Sequence, residues 1–169
     1  MTRVLLVGLM ATGKSTVGQA IADVTGWPCI DNDVLLERDT GQTAAQILAE
    51  HGEARLRAAE SDVLTRLVSL PGPFVGGVAA GTILDERDRE RIRSAGHVVW
   101  LRTSVATIVQ RVAGQTDRAW LDEDPEAVLT AMAAERDPLY ASVAHQVLEM
   151  DSVTPEEAAR LVVEALAAT

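Results

Sequence analysis

Residues 8–16 read GLMATGKST and connect a short apolar run, Val4–Val7, to a segment with helical spacing. The run is continuously apolar, which is typical of a strand covered on both faces of a parallel sheet. After the stretch, apolar side chains such as Val17 and Ile21 recur with the period of a helix that stops at Gly26. The sequence therefore predicts a strand, a loop and a helix in succession.

The same stretch fits the phosphate-loop pattern G-x-x-x-x-G-K-[ST], in the strand and helix context that this pattern requires. Gly8 and Gly13 let the backbone wrap around phosphate, and the helix that begins near Lys14 adds its positive end. Lys14 is the only lysine in the chain, and its compact ammonium binds β and γ phosphates in a way that a planar arginine does not reproduce. The Ser15 hydroxyl can bind Mg²⁺. We predict an ATP site that also includes Met10, Ala11, Thr12 and Thr16.

Composition limits the class of protein. A chain of 169 residues fits one domain, so we predict that residues 1–169 form one unit. The single cysteine, Cys29, suits a reducing compartment. A net charge of -10 argues against nucleic acid and anionic membranes as partners. The apolar runs are shorter than the roughly 18 residues of a membrane span, and the first residues do not form a signal peptide. We expect a cytoplasmic monomer that acts on a small molecule.

Strand-like and helix-like segments alternate along the rest of the chain. Further strands are predicted at 27–31, 74–77, 97–101 and 145–150. Ser104 and Thr154 are placed to cap the helices that follow the last two of these strands. The alternation predicts a doubly wound α/β fold with a parallel sheet. The polar segment Gly114–Pro125 is the least regular part, and it is either an ordinary surface connection or a lid.

The second substrate has to be read from other polar residues. Asp31 and Asp33 follow the second strand, at the sheet edge where ligands of α/β proteins bind. If the extended geometry continues, both carboxylates point one way, so that one of them supports Mg²⁺ while the other receives a proton from an attacked hydroxyl; Asp31 is the predicted metal residue. The alternative is an Asx turn with Asp33 as a helix cap. Arg57 and Arg136 are candidates to bind a carboxylate, and a solvated helix face is the alternative for each.

Several segments, taken in chain order, resemble the motif series of the shikimate kinase family. They are GLMATGKST, IDND, HGEARLR, FVGG, TDRAWL and ERDPLYASVA, and they cover nearly the whole chain. The combination of Asp31 and Asp33 with the G-E-x-x-x-R pattern of Gly52–Arg57 and the R-x-P-L-Y pattern of Arg136–Tyr140 is more specific than the phosphate loop. The resemblance implies a P-loop kinase, similar to the nucleoside monophosphate kinases, with a five-stranded parallel sheet and a lid over about residues 114–125.

The resemblance also implies roles at the acceptor side. Asp33 would contact the substrate hydroxyls and act as the base or orienting group, and Arg57 and Arg136 would bind the substrate carboxylate. Gly76 and Gly77 would offer backbone N–H groups. The family usually has three glycines after its third strand, whereas this chain continues with Val78.

On the nucleotide side, the resemblance implies that Arg118 belongs to the closing lid and stabilises the transferred charge, with Lys14 as the other cationic catalytic residue. Arg111 would pack against adenine. Two features differ from the family: Trp120 follows the lid arginine, and the segment LEMDSVTPEE after the last strand lacks the expected basic residues.

These observations predict an Mg²⁺-dependent kinase that transfers the γ-phosphoryl group of ATP to a hydroxyl of shikimate and releases shikimate 3-phosphate and ADP. One alternative is a kinase of another small hydroxy acid or polyol, such as gluconate, on the same fold. The other is an ATP-binding regulatory module without turnover, for which the Gly-Gly-Val segment is the main motive.

Overall fold

One parallel sheet organises the chain, which is seen in a computed structural model that describes residues 2–113 and 124–168. Its strands are β1 (Arg3–Val7), β2 (Cys29–Ile30), β3 (Phe74–Gly77), β4 (His97–Arg102) and β5 (Gln146–Glu149). They lie in the order β2-β3-β1-β4-β5, and every adjacent pair is parallel. The predicted five-stranded, doubly wound sheet is confirmed.

Eight α-helices connect and flank these strands in the described ranges. They are α1 (Lys14–Thr25), α2 (Asn32–Thr40), α3 (Ala44–His51), α4 (Glu53–Ser69), α5 (Glu86–Ala95), α6 (Val105–Val112), α7 (Pro125–Val143) and α8 (Pro155–Ala167), and a 3-10 helix spans Thr82–Leu84. The predicted caps are present: the side chain of Ser104 accepts a hydrogen bond from the Thr107 N–H, and Thr154 forms a reciprocal capping box with Glu157.

Side chains of β1 alternate between two cores, one on each face of the sheet. Leu5 and Val7 belong to the larger core, whereas Val4 and Leu6 belong to the smaller one. Helices α1 and α8 cover the smaller core, and α2 to α7 contribute to the larger one. Because β1 is buried on both faces, its continuous apolar run has the structure that the sequence predicted.

The region after β2 differs from the sequence prediction. The strand is limited to Cys29 and Ile30, and helix α2 begins at Asn32. Asp31 is its N-cap, because its carboxylate accepts hydrogen bonds from the N–H groups of Asp33 and Val34. The expectation that Asp31 and Asp33 continue an extended strand is therefore wrong, as is the placement of the cap at Asp33. Satisfying the free N–H groups of a helix start favours this turn over two more strand residues.

A crevice opens at the carboxyl ends of β1 and β3, which are neighbours in the sheet. The helix after β1 covers one face, while the helix after β3 packs its Ile92 into the core of the other face. Ligands of open α/β sheets bind where the connections diverge in this way. Within the described ranges, no helix has both the length and the apolar character needed to cross a membrane.

Candidate active site

The loop between β1 and α1 has the backbone conformation of an anion cradle. Gly8 and Gly13 have φ angles of 147° and 95°, and Ala11 between them is left-handed at 56°. A Cβ on Gly8 would lie 2.8 Å from the Leu101 carbonyl oxygen, so a side chain at this position would displace the loop from β4. Both glycines of the predicted motif are therefore required by the loop conformation.

Lys14 lies along this loop. Its Nζ donates hydrogen bonds to the carbonyl oxygens of Gly8, at 2.9 Å, and Leu9, at 2.7 Å. The buried hydroxyl of Thr12 donates to the same Leu9 oxygen at 2.9 Å. Met10 packs against the larger core, and Thr16 is exposed on the first turn of α1. The ammonium is thus held at the loop where phosphates would bind.

Ser15 and Asp31 form the candidate metal site. The Ser15 hydroxyl donates to the second carboxylate oxygen of Asp31 at 2.7 Å, while the first oxygen caps α2. A hydroxyl and a carboxylate at this distance fit Mg²⁺, which keeps several waters and takes few protein ligands. Residues 2–113 and 124–168 contain no cluster of three or more His, Cys, Asp or Glu suited to a metal ion.

Arg111 links helix α6 to the phosphate loop. Its Nη1 donates to the carbonyl oxygen of Ala11 at 2.8 Å, across 100 positions in sequence. The start of the same helix is tied to the segment after β5, because Asp151 accepts hydrogen bonds from the N–H and hydroxyl of Ser104 and from the hydroxyl of Thr107. These bonds, that of Thr107 first, lower the pKa of Asp151. Arg118 and most of the predicted lid lie outside the described residues.

Arg57, predicted to bind the acceptor, lies on α4. Its guanidinium donates to Glu60 at 2.6 Å and to Glu53 at 3.2 Å. Burial lowers the pKa of Arg57, but the two carboxylates outweigh it and the net pKa is raised, so the guanidinium stays charged. Glu60 is only 7% exposed, and burial raises its pKa although Arg57 and Arg136 oppose this. Asp33 is near enough to raise it further.

Arg136 is the second cation near Glu60, and it is 4% exposed, whereas the Arg57 side chain is 30% exposed. It lies on α7, and its charge acts on both Glu60 and Tyr140. The Nε atoms of Arg57 and Arg136 are buried and have no hydrogen-bond partner among the described residues. Glu135 lies within ion-pair distance of the Arg136 Nε, at 3.9 Å, but is too far for a hydrogen bond. Because a buried donor without a hydrogen bond is costly, both atoms are suited to an anionic or strongly polar ligand.

The structure therefore brings three predicted residues, Asp33, Arg57 and Arg136, into one group. It adds Glu60 and Tyr140, which the sequence analysis did not select. The sequence contained a signal for Glu60: a carboxylate three residues after Arg57 lies on the same side of a helix as that arginine.

The loop after β3 contributes a different glycine from those predicted. A Cβ on Gly81 would lie 1.7 Å from the Nη1 atom of Arg57, whereas a Cβ on Gly76 would lie 3.0 Å from Leu67 in the core. Gly77 lies on the phosphate-loop side, where its Cβ would be 3.9 Å from the Lys14 Cβ. Val78 is 3% exposed and packs into the larger core. Arg57 thus approaches the backbone at Gly81, five residues beyond Gly76.

A phosphate loop after the central strand, a hydroxyl and carboxylate pair for Mg²⁺ and a neighbouring cationic group define the class of P-loop kinases that act on small molecules. The family model "Shikimate kinase" matches residues 10–167. The shikimate kinase of Halorhodospira halophila is 39% identical over 166 residues, which are 98% of this chain and 93% of that protein. The chain belongs to the shikimate kinase family.

Solved structures agree with this assignment. The shikimate kinase of Acinetobacter baumannii in complex with shikimate has a TM-score of 0.93 and 33% identity, and the match covers 99% of this chain and 94% of that chain. A gluconokinase from Sinorhizobium meliloti has a TM-score of 0.64 and 20% identity over 98% of this chain and 91% of that chain. The second likeness concerns the fold alone.

Proposed function

We propose that this protein is a shikimate kinase, which transfers the γ-phosphoryl group of ATP to the 3-hydroxyl of shikimate and releases shikimate 3-phosphate and ADP. The observation that carries the proposal is a pair of guanidinium groups beside Glu60, half-buried Arg57 and buried Arg136, whose Nε atoms are buried and have no hydrogen-bond partner in the described part of the chain. An acceptor with a carboxylate would satisfy them through charge-assisted hydrogen bonds, while its hydroxyls face Asp33.

The acceptor residues would act first on the hydroxyl. Asp33 accepts the proton of the attacking hydroxyl as that oxygen bonds to the γ-phosphorus and the bond to the bridging oxygen of ADP breaks. Arg57 and Arg136 fix the carboxylate at the other end of the acceptor, and this fixed orientation reduces the entropic cost of reaching the in-line geometry. Gly76 and Gly77 keep their proposed roles as backbone donors.

The phosphate loop would bind the transferred group. Lys14 neutralises charge on the β and γ phosphates, and the N–H groups of residues 8–16 hold the remaining oxygens. Ser15 would hold Mg²⁺ with support from Asp31; when bound, the ion adds positive charge at the same oxygens. Arg111 would pack against adenine, and Arg118 would add a second cation when the predicted lid closes and excludes water.

The direct test is ADP release from Mg·ATP with and without shikimate, with Lys14→Ala as the blank for contaminating kinases. Strong dependence on shikimate that is lost in the variant supports the proposal. The panel also contains gluconate, AMP, CMP and GMP. A clear preference for gluconate would make gluconate the proposed acceptor. ATP binding without ADP release in the presence of any of these compounds would favour a regulatory module.

The proposal also includes that the protein is a monomer and lies in the cytoplasm. Gel filtration tests the first statement, and cell fractionation tests the second.

Ser15→Ala is expected to raise the Mg²⁺ concentration for half-maximal activity by roughly 10–100-fold, because the metal loses a ligand and Asp31 loses its hydroxyl partner. The measurement is a Mg²⁺ titration at saturating shikimate. Ser15→Thr retains a hydroxyl and is the matched control. An unchanged Mg²⁺ requirement in Ser15→Ala would remove this residue from the metal site.

Gly81→Ala tests whether the Arg57 guanidinium must lie against a bare backbone. The added Cβ would overlap Nη1 of Arg57, so the guanidinium has to move, while the ordinary φ of -81° at Gly81 leaves the backbone unstrained. We expect the KM for shikimate to rise about tenfold, the loss of roughly one charge-assisted hydrogen bond, with little change in the KM for ATP. The thermal midpoint is expected to fall as well, because Nη1 also donates to the buried Glu60. A shikimate KM within twofold of the wild type would contradict this assignment.

A further inference from the structure

Tyr140 lies on α7, four residues after Arg136, so both side chains lie on the same side of the helix. It is 1% exposed, and its hydroxyl donates a hydrogen bond of 2.8 Å to the carbonyl oxygen of Ala80. Residue 80 belongs to the loop that carries Gly81 past Arg57. One buried phenol thus connects the helix of Arg136 to the loop beside Arg57.

The ring of Tyr140 is held in place by β4. It packs against Trp100, with ring centroids 6.0 Å apart. The guanidinium of Arg136 interacts with the phenol oxygen, and burial, which outweighs this cation, raises the pKa of Tyr140 strongly. The phenol therefore stays protonated and remains a donor to Ala80 throughout the pH range in which a cytoplasmic enzyme works.

The bond to Ala80 also fixes the direction of the next N–H group. The peptide between Ala80 and Gly81 is trans, since the only cis bond in the described ranges precedes Pro73. In a trans peptide, the carbonyl and the following N–H point in opposite directions. Holding the Ala80 oxygen toward Tyr140 therefore turns the Gly81 N–H away from it. Among the described residues, that N–H donates no hydrogen bond.

We propose that Tyr140 is a positioning residue for the acceptor. Its hydroxyl fixes the orientation of the peptide between Ala80 and Gly81, and it holds the guanidinium of Arg136 in place relative to that of Arg57. The inference rests on the proposed function, because it takes shikimate to be the acceptor that Arg57 and Arg136 bind. Tyr140 itself touches neither substrate. Without its hydroxyl, the peptide between Ala80 and Gly81 loses the bond that fixes its orientation within the Ala79–Thr82 turn, and the surface against which Arg57 lies is held less firmly.

The competing explanation is a structural role only, in which the phenol contributes one buried hydrogen bond to stability. Tyr140→Phe removes the hydroxyl and keeps the ring against Trp100, so the fold should be retained. Thr25→Val is the matched control, since the part-buried Thr25 hydroxyl donates to the carbonyl oxygen of Ile21 at 2.7 Å on α1, which covers the other face of the sheet. A structural role predicts the same pattern for both variants, namely a lower thermal midpoint with unchanged substrate constants.

The experiment compares steady-state kinetics of the wild type, Tyr140→Phe and Thr25→Val, together with the rise in thermal midpoint that saturating shikimate causes in each. For Tyr140→Phe we expect a shikimate KM raised about fivefold to thirtyfold and an ATP KM within about twofold of the wild type. We also expect saturating shikimate to raise the thermal midpoint of this variant by less than it raises that of the wild type. The midpoint measurement reports acceptor binding even if turnover in the variant is too slow to follow.

Three outcomes are decisive. A selective rise in the shikimate KM of Tyr140→Phe, absent from Thr25→Val, supports the inference. A shikimate KM and a midpoint rise equal to those of the wild type overturn it and leave the proposed function intact. A wild-type protein that neither releases ADP with shikimate nor is stabilised by it overturns the proposed function and this inference together.

Discussion

Lys14→Ala is expected to lower kcat by at least about 100-fold, the range measured when one preorganised donor to a developing charge is removed. The change deletes the only lysine of the chain. It also removes the hydrogen bonds from Nζ to the carbonyl oxygens of Gly8 and Leu9. The loop then loses both its cation and two of the bonds that hold its shape. The measurement is kcat from ADP release at saturating ATP and shikimate.

Lys14→Arg separates the charge from its geometry. Arginine retains the positive charge, but its planar fork is larger than an ammonium and does not fit as a point charge between two phosphates. We expect most of the activity to be lost in this variant as well. Activity of Lys14→Ala within tenfold of the wild type would mean that the phosphate loop does not bind the transferred group.

A second readout is available because Lys14 is the only lysine. An amine-modifying reagent has one side-chain target in this protein besides the N-terminus. Mg·ATP is expected to protect that lysine from modification, and peptide mass analysis would measure the protection. Equal modification with and without nucleotide would contradict the placement of ATP phosphates beside Nζ.

Arg57→Ala is expected to lower kcat/KM for shikimate by roughly 100-fold to 1000-fold, because the acceptor loses a bidentate, charge-assisted partner worth about 3–4 kcal/mol. The Kd for ATP should stay within about twofold of the wild-type value, because Arg57 lies on α4 and is not part of the phosphate loop. The measurements are steady-state kinetics in each substrate and calorimetric binding of ATP. An equal loss for both substrates would count against a role specific to the acceptor.

Stability has to be measured alongside these kinetics. Arg57→Ala leaves Glu60 buried without its closest cation, at 2.6 Å in the wild type, and breaking such a pair costs about 3–5 kcal/mol. Arg57→Lys keeps a charge near Glu60 but loses the planar fork, so we expect it to recover stability more fully than acceptor binding. Arg55→Ala is the matched control, because Arg55 is exposed two positions earlier on the same helix.

The phosphate-loop conformation could be predicted because its determinants are local. The run from Val4 to Val7, the glycines of residues 8–16 and the helical period that follows all lie within about 25 residues. The same holds for the caps at Ser104 and Thr154, whose hydrogen bonds reach three residues along the chain. Patterns of this range report backbone geometry directly.

The strand β2 shows the limit of such patterns. An apolar segment followed by Asp-Asn-Asp is compatible with a longer strand or with a capped helix. In the capped helix, the Asp31 carboxylate accepts hydrogen bonds from the N–H groups that follow it. The structure satisfies both of its oxygens, one on the N–H groups of α2 and one on Ser15. The second bond spans 16 positions, and no local pattern contains it.

The sequence by itself thus determined the order of strands and helices, the phosphate loop and the family, because these follow from local periodicity and from motifs in series. Only the tertiary structure decided which backbone lies beside Arg57 and that Val78 packs into the larger core. It also decided that Glu60 lies near both Arg57 and Arg136, and that Tyr140 lies near Arg136. The physical reason is that burial and charge pairing depend on elements far apart in the chain. Tyr140 meets Ala80 across 60 positions, because α7 and the loop after β3 pack over the same end of the sheet.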